Sequence, residues 1–362
     1  MPAVVQAKQP VSLELIEGDS VPGPTLEILL LAGGSRWDPP GQEGRAWALS
    51  HAVARPASLQ VEVGRDHAWW VLPCGSGPVP SCAAVLERTL GTAPIDPAVV
   101  DAAAEALTGA PPEQSTTDAW FALAYEAHPY GHPVAGRTGA LEVATDRLER
   151  WALDRRSLWT RPAVRARLIG PDRAALEAMR SPVEDALLAF PIGPVPDSAM
   201  KGPPTVDGPV LATLPVDGSE AHLVVGWALP RRPTNTTRLL PDLDDQSQYD
   251  AAVRCWLPPS TDGLSLTPAA EAPAGWPTRL TQPNHPAVLW AGAGDPAAMH
   301  ALALAAATTP PEVDPECEAL VGAPPPATIV LGWPVTEEMP PTPVEGSIER
   351  LDLPSPAQGL FR

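Results

Sequence analysis

The sequence predicts an α+β protein built from two units, and three observations support this class. Strand-like and helix-like segments both occur along the chain, but without the strict strand–helix–strand rhythm of a parallel sheet. The chain has 362 residues, 44% of them apolar, which suits two hydrophobic cores better than one. A stretch rich in Pro and Gly, residues 194–210, separates the two halves as a linker.

The first half contains five strand-like segments, in which apolar residues alternate with polar ones or run continuously. They are residues 11–18, 25–34, 57–74 (two strands about a turn at Gly64–Asp66) and 163–170. Helical periodicity and capping signals predict six helices. These are residues 41–54, 79–91, 96–109, 115–127, 144–157 and 172–190. We therefore expect helices packed on a mainly antiparallel sheet.

The second half repeats this pattern less clearly. Strand-like segments occur at residues 209–215, 221–230 and 327–335, and residues 285–307 read as a strand, a Gly turn and a helix capped by Asp295. Residues 231–263 have weak periodicity and are expected to form a long excursion. The predicted organisation is a first domain at 1–193, the linker at 194–210, a shortened and diverged second domain at 211–340 and a Pro-rich tail at 341–362.

Charge and composition exclude some functions. The formal net charge is −19, which opposes binding to nucleic acid or to an anionic membrane surface. The first thirty residues do not resemble a signal peptide, and no run of eighteen apolar residues occurs, so we expect a cytoplasmic protein. The 49 prolines predict short elements and irregular connections.

The four cysteines are too sparse to suggest a disulfide framework. None has CxxC spacing, and they stand at Cys74, Cys82, Cys255 and Cys317. Cys74 and Cys82 flank a turn and could pair there, but two free, partly buried thiols are the expectation.

Three stretches of the first half resemble the M16 metallopeptidase family, which includes insulinase and the mitochondrial processing peptidase, and the shortest of them is "AEALTGAPP". "AGGSRWDPPGQEGRAWALSHAVA" is similar to the family's strand, charged turn and metal-binding helix. "HPYGHPVAGRTGALEVATDRLERW" is similar to its His-Pro-Tyr-Gly turn, Gly loop and following helix. The resemblance covers residues 11–193 and implies two α/β sandwich units of the M16 type.

The resemblance also implies where the site of such a peptidase would lie. In the family, two His residues four apart on one helix bind zinc, a Glu beside the second acts as general base, and a later helix supplies another Glu. These positions correspond to Trp47, Ser50, His51 and Glu105. An indole has no lone pair for zinc, and a Ser hydroxyl stays protonated at neutral pH. We therefore expect no catalytic residues, no metal and no cofactor.

Three other groups could form a site. His67 with Asp66 could act as a general base if a nucleophile lay nearby, and His128 with His132 could bind a metal, although the two prolines beside them already explain the turn. The segment "GAGDPA" lacks one Gly of a dinucleotide-binding loop.

Two functions remain open at this stage. The first is a noncatalytic M16-like subunit that acts as a structural or assembly partner, in a homo- or hetero-oligomer, with an active M16 peptidase or a larger protein complex. The twelve tryptophans favour an interface, since Trp is enriched at interface cores. The alternative is a hydrolase with a relocated metal or His/Asp site.

Overall fold

The computed structural model describes most of the chain. The described residues are 10–39, 41–54, 59–75, 80–90, 112–125, 128–134, 158–194, 210–228, 251–267, 276, 287–309, 324–338 and 349–352. The predicted helices at 96–109 and 144–157, together with Glu105 and Cys317, lie outside these residues.

Eleven strands and five longer helices are described. The strands are β1 (Ser12–Glu17), β2 (Thr25–Leu30), β3 (Gln60–Val63), β4 (Ala68–Pro73), β5 (Val164–Gly170), β6 (Val210–Val216), β7 (Ala221–Ala228), β8 (Ser265–Thr267), β9 (Ala287–Gly294), β10 (Thr328–Pro334) and β11 (Glu349–Asp352). The helices are α1 (Arg45–Ala54), α2 (Pro80–Leu90), α3 (Pro112–Tyr125), α4 (Arg173–Leu187) and α5 (Pro296–Thr308). Short 3₁₀ turns occur at Ser35–Trp37, Pro129–Gly131 and Arg161–Ala163.

The first sheet has the strand order β1-β5-β2-β4-β3. Only the β1–β5 pair is parallel, and the other three pairs are antiparallel. The turn predicted at Gly64–Asp66 joins β3 to β4, where the Gly64 N–H donates to the His67 carbonyl at 2.8 Å. The expected mainly antiparallel sheet is therefore confirmed.

The second sheet repeats the topology of the first. Its order is β11-β6-β10-β7-β9-β8, with β6–β10 parallel and β10–β7, β7–β9 and β9–β8 antiparallel. Each of β6 to β10 takes the place of the strand five positions earlier. The added edge strand β11 comes from the Pro-rich tail and pairs in parallel with β6. The described strands therefore form two sheets with the same core topology, as expected for two α+β units.

The contacts of α3 separate it from the sheet that precedes it in sequence. The chain divides into one compact unit of Met1–Leu107 with Val134–Ala199 and a second of Thr108–Pro133 with Met200–Arg362. The sequence-based first domain, 1–193, is continuous and would place α3 with the first sheet, so the structure differs from that prediction here. Periodicity shows which side of a helix is apolar but not which sheet receives it.

Helices α1, α2 and α4 cover one face of the first sheet. Their apolar side chains join those of the strands in a core that includes Leu26, Ile28, Leu49 and Leu168, all almost fully buried. Alternation along the strands explains this arrangement, since every second residue points to the same face.

The second sheet is covered on both faces. On one face, Trp120 and Phe121 of α3 pack with Leu214 and Val330, and Trp120 Nε1 donates to the Thr328 carbonyl at 2.8 Å. On the opposite face, α5 packs its Ala-rich side, including Ala303, on apolar residues of β7 and β10. The aromatic rings of α3 and the indole N–H of Trp120 are buried against this sheet, so α3 belongs structurally to the second unit.

The expectation of two free thiols is wrong for Cys74 and Cys82. They form a disulfide with a Cα–Cα distance of 4.9 Å, and none of the described cysteines is free. Cys74 follows β4 and Cys82 lies in the first turn of α2, so packing α2 on the sheet brings the two sulfur atoms together. A spacing of eight residues does not reveal this, because it depends on the path of the turn.

Replacing both cysteines by alanine is expected to lower the free energy of unfolding by about 2–3 kcal/mol, because the bond closes a short loop in the unfolded chain. Urea denaturation of the C74A/C82A variant and of wild type, each with and without reductant, measures this loss. Reductant should lower the midpoint of the wild type more than that of the variant. Equal midpoints for all four samples would contradict the prediction.

Candidate functional site

The start of α1 determines where Trp47, Ser50 and His51 lie. Asp38 accepts hydrogen bonds from the backbone N–H groups of Gly44 and Ala46, both at 2.7 Å, and Arg45 Nε lies 4.0 Å from its Oδ1. The first amide groups of a helix lack partners within the helix, and a carboxylate satisfies them and favours the helix dipole. Asp38 thus fixes where α1 begins.

Asp38 is a buried carboxyl with an altered pKa. Burial raises its pKa to about 7, against the opposing effects of Arg45 and of the two backbone N–H groups. A carboxyl group removed from water disfavours its charged form, and its hydrogen bonds recover only part of that cost. The charge at the start of α1 therefore changes in the neutral pH range.

The turn before α1 is held against the β3–β4 turn by buried polar contacts. Arg36 Nε lies 3.0 Å from Asp66 Oδ1, with both side chains 5% exposed. Trp37 Nε1 donates to the Asp66 carbonyl at 3.1 Å, and the Arg36 guanidinium lies 4.6 Å from the Trp37 ring centroid. A Cβ on Gly34 would lie 2.2 Å from the Arg65 carbonyl oxygen, so only Gly fits at this approach.

Trp47 and His51 lie on the same side of α1, as residues four apart must. Their ring centroids are 4.1 Å apart with an interplanar angle of 44°. In a zinc-binding helix, a second imidazole would stand at the position of Trp47 and bind the same metal ion as His51. Here the indole occupies that position. The indole N–H is only a donor, so this pair offers a metal one nitrogen ligand.

Ser50 is enclosed in the protein. It is fully buried, and its Oγ has no hydrogen-bond partner in the part of the chain that the structure describes. A general base must reach a water or a substrate and change its protonation state. A buried hydroxyl meets neither requirement.

Of the three motif positions that the structure describes, His51 is the one whose side chain could bind a metal or a proton. Burial lowers the pKa of its imidazole from 6.5, so the ring is neutral at pH 7. Glu105, the other family ligand position, lies outside the described residues. No group of three or more His, Cys, Asp or Glu side chains among the described residues could hold a metal ion.

The lowered pKa of His51 predicts a pH dependence of stability. Between its folded pKa and 6.5 the unfolded chain binds a proton that the folded chain does not, so stability rises with pH across this window. Urea denaturation of wild type and His51→Gln at pH 5 and pH 7.5 tests this. We expect the wild type to lose more stability at pH 5 than the variant. An equal loss in both would contradict the lowered pKa.

The first alternative site predicted from the sequence, His128 with His132, forms part of a hydrogen-bonded turn. The His128 Nδ1 accepts a hydrogen bond from the Tyr130 N–H at 3.1 Å, which holds the turn Pro129–Gly131. His128 and His132 are both more than nine-tenths buried. The turn that the prolines predicted is therefore present, and one His128 nitrogen is already used in it.

The other two candidate sites are Asp66 with His67 and the segment "GAGDPA", and both contain a carboxylate that already has a structural partner. Asp66 Oδ1 pairs with Arg36, and His67 is 1% exposed, so neither side chain of this pair is open to solvent. In "GAGDPA", Asp295 caps α5 by accepting from the Ala298 N–H at 3.0 Å. A carboxylate at this helix start occupies the position where a phosphate would bind.

Three residues of this region are buried but were not among the residues predicted from the sequence to form a site: Arg36, Asp38 and Arg45. Asp38 had a signal, because an Asp before prolines and a helix is typical of an N-terminal cap. No sequence signal indicated that the two arginines are buried, since burial of a charge depends on where its partners lie in the folded chain.

Comparisons with solved structures support the fold. A crystal structure of an M16 peptidase inactive domain from Pseudomonas fluorescens is 12% identical, with a TM-score of 0.55, and the match covers 92% of this chain and 99% of that one. An M16-like peptidase from Alicyclobacillus acidocaldarius is 14% identical, with a TM-score of 0.55 and coverage of 84% and 78%. A chain of complex III from Candida albicans is 10% identical, with a TM-score of 0.51 and coverage of 82% and 75%.

No family model and no curated protein sequence matches the chain. The chain nevertheless has the fold of M16 peptidases, with both α+β units present, and the resemblance inferred from its sequence is confirmed at that level.

The described helices include none with the length and apolar character needed to cross a membrane.

Proposed function

We propose that this protein is a noncatalytic M16-like subunit that serves as a structural or assembly partner in a protein complex. The observation that carries the proposal is the contact of Trp47 with His51, beside the enclosed Ser50. Zinc-dependent hydrolysis needs three protein ligands and a base that activates the bound water. Here α1 is formed, but Trp47 and Ser50 stand at the positions of one zinc ligand and of the general base.

The surroundings of α1 support a retained scaffold. The Asp38 cap and the Arg36–Asp66 pair hold the helix start and the neighbouring turn in place, and each involves nearly fully buried charges. Buried charges are costly unless they are well paired, so the arrangement fixes a specific local geometry. A rigid scaffold of this kind suits a subunit that binds other proteins through its surface.

A protein partner is supported by the fold and by the charge. One chain with this fold is part of complex III, and another is an inactive M16 domain. The net charge of −19 opposes nucleic-acid partners and favours a protein surface with complementary charge. We propose an M16-family homologue or a larger complex as that partner.

Metal content and peptide cleavage test the noncatalytic part. The purified full chain is incubated with zinc, dialysed and analysed for bound metal, and then assayed on unstructured peptides. We expect no tightly held zinc and no cleavage above buffer. About one zinc per chain with cleavage would refute the proposal and favour a relocated metal site. The variant His51→Ala is the matched control, because it shows whether any bound zinc uses α1.

Affinity purification of the full chain from its native source tests the partner. We expect an M16 peptidase or the subunits of one assembly to copurify in a fixed ratio, as measured by mass spectrometry. Recovery of the chain alone, at the mass of a monomer, would contradict an assembly role.

A further inference from the structure

The described cysteines are oxidised in both units of the fold. In the first unit Cys74 and Cys82 are bonded, and in the second unit Cys255 is also part of a disulfide. None of the cysteines that the structure describes is a free thiol. The sequence holds only four cysteines in 362 residues, so chance proximity within each unit is a poor explanation.

The Cys74–Cys82 bond is built into the core. The residues are 5% and 2% exposed and belong to the apolar cluster that α2 and the first sheet share. Reducing pools keep cytosolic thiols reduced, whereas disulfides persist in oxidising compartments. A buried bond is also shielded from attacking thiolates once the chain has folded.

We propose that this protein is oxidised during maturation by a disulfide-bonded thiol oxidoreductase, and that it functions in an oxidising compartment. This inference goes beyond the structural role proposed above and does not depend on it. It also replaces the cytoplasmic location expected from the sequence, which rested on the absence of a recognisable signal peptide.

The exchange reaction balances with that oxidant. The thiolate of Cys82 attacks one sulfur of the oxidant's disulfide, which forms a mixed disulfide and releases the oxidant's other sulfur as a thiolate. The thiolate of Cys74 then attacks the Cys82 sulfur, so the intramolecular bond forms and the second oxidant sulfur leaves. Two electrons pass to the oxidant, which becomes a dithiol with the two protons.

Differential alkylation of the full chain tests the proposal. Cells of the native source are quenched in acid, free thiols are labelled with one maleimide under denaturing conditions, and disulfides are then reduced and labelled with a second. Peptide mass spectrometry should find the second label on Cys74, Cys82 and Cys255. The first label on Cys74 and Cys82 in most molecules would overturn the inference.

A single variant provides the matched control. In Cys74→Ser, Cys82 loses its partner and should carry the first label, while Cys255 should keep the second. If Cys82 still carries the second label, its oxidation does not report the Cys74–Cys82 bond, and the inference fails. Neither labelling result depends on zinc content or on a copurifying partner, so this test and those of the proposed function fail independently.

Discussion

Replacing Trp120 by alanine is expected to lower the free energy of unfolding by about 3–5 kcal/mol. Its side chain is fully buried between α3 and the second sheet, where its ring packs edge-on against Phe121. The change removes a large apolar surface and leaves the Thr328 carbonyl without its 2.8 Å donor. Urea denaturation followed by circular dichroism measures the loss.

Two further substitutions separate the parts of this effect. Trp120→Phe keeps most of the ring but removes the N–H, so it should cost only about 1–3 kcal/mol. Trp47→Ala should cost less than Trp120→Ala, because Trp47 is only partly buried. An equal loss for Trp47→Ala and Trp120→Ala would contradict the placement of Trp120 in the core.

The variant Trp120→Ala also tests the assignment of α3 to the second unit. Hydrogen exchange should rise at the amides of β7 and β10, which α3 contacts, more than at those of β2 and β5. If protection were lost first in the first sheet, α3 would belong with that sheet after all.

Replacing Arg36 by methionine is expected to lower the free energy of unfolding by about 3–5 kcal/mol, because it removes the guanidinium that lies 3.0 Å from the buried Asp66 carboxylate. Methionine retains much of the apolar stem, so the loss reports mainly the charge. Urea denaturation at pH 7.5 measures it. The double variant Arg36→Met/Asp66→Asn should recover part of the loss in stability, since it also removes the negative charge of residue 66.

Arg180→Met is the matched control for this prediction. Arg180 forms ion pairs with Glu177 and Glu184 on α4, but its side chain is 48% exposed. Ion pairs in contact with water contribute little to stability, so this change should have little effect. Similar losses for Arg36→Met and Arg180→Met would show that burial of the first pair is not what stabilises it.

These two arginines illustrate the difficulty of reading charge from sequence. The residue type is the same at both positions, and only the folded chain shows that Arg36 is buried against Asp66 while Arg180 is half exposed. Trp120 and Trp47 differ in the same way. A residue type therefore predicts the possible interactions, and its surroundings determine their strength.

The amino-acid sequence by itself determined the α+β class, the positions of most described strands and helices, and the presence of an indole and a hydroxyl at Trp47 and Ser50. These features depend on local periodicity, capping and residue chemistry, all of which can be read along the chain. Only the tertiary structure decided that α3 covers the second sheet, that Cys74 bonds Cys82 and that Arg36 is buried against Asp66. Each of these three depends on where separate segments meet, which local patterns do not specify.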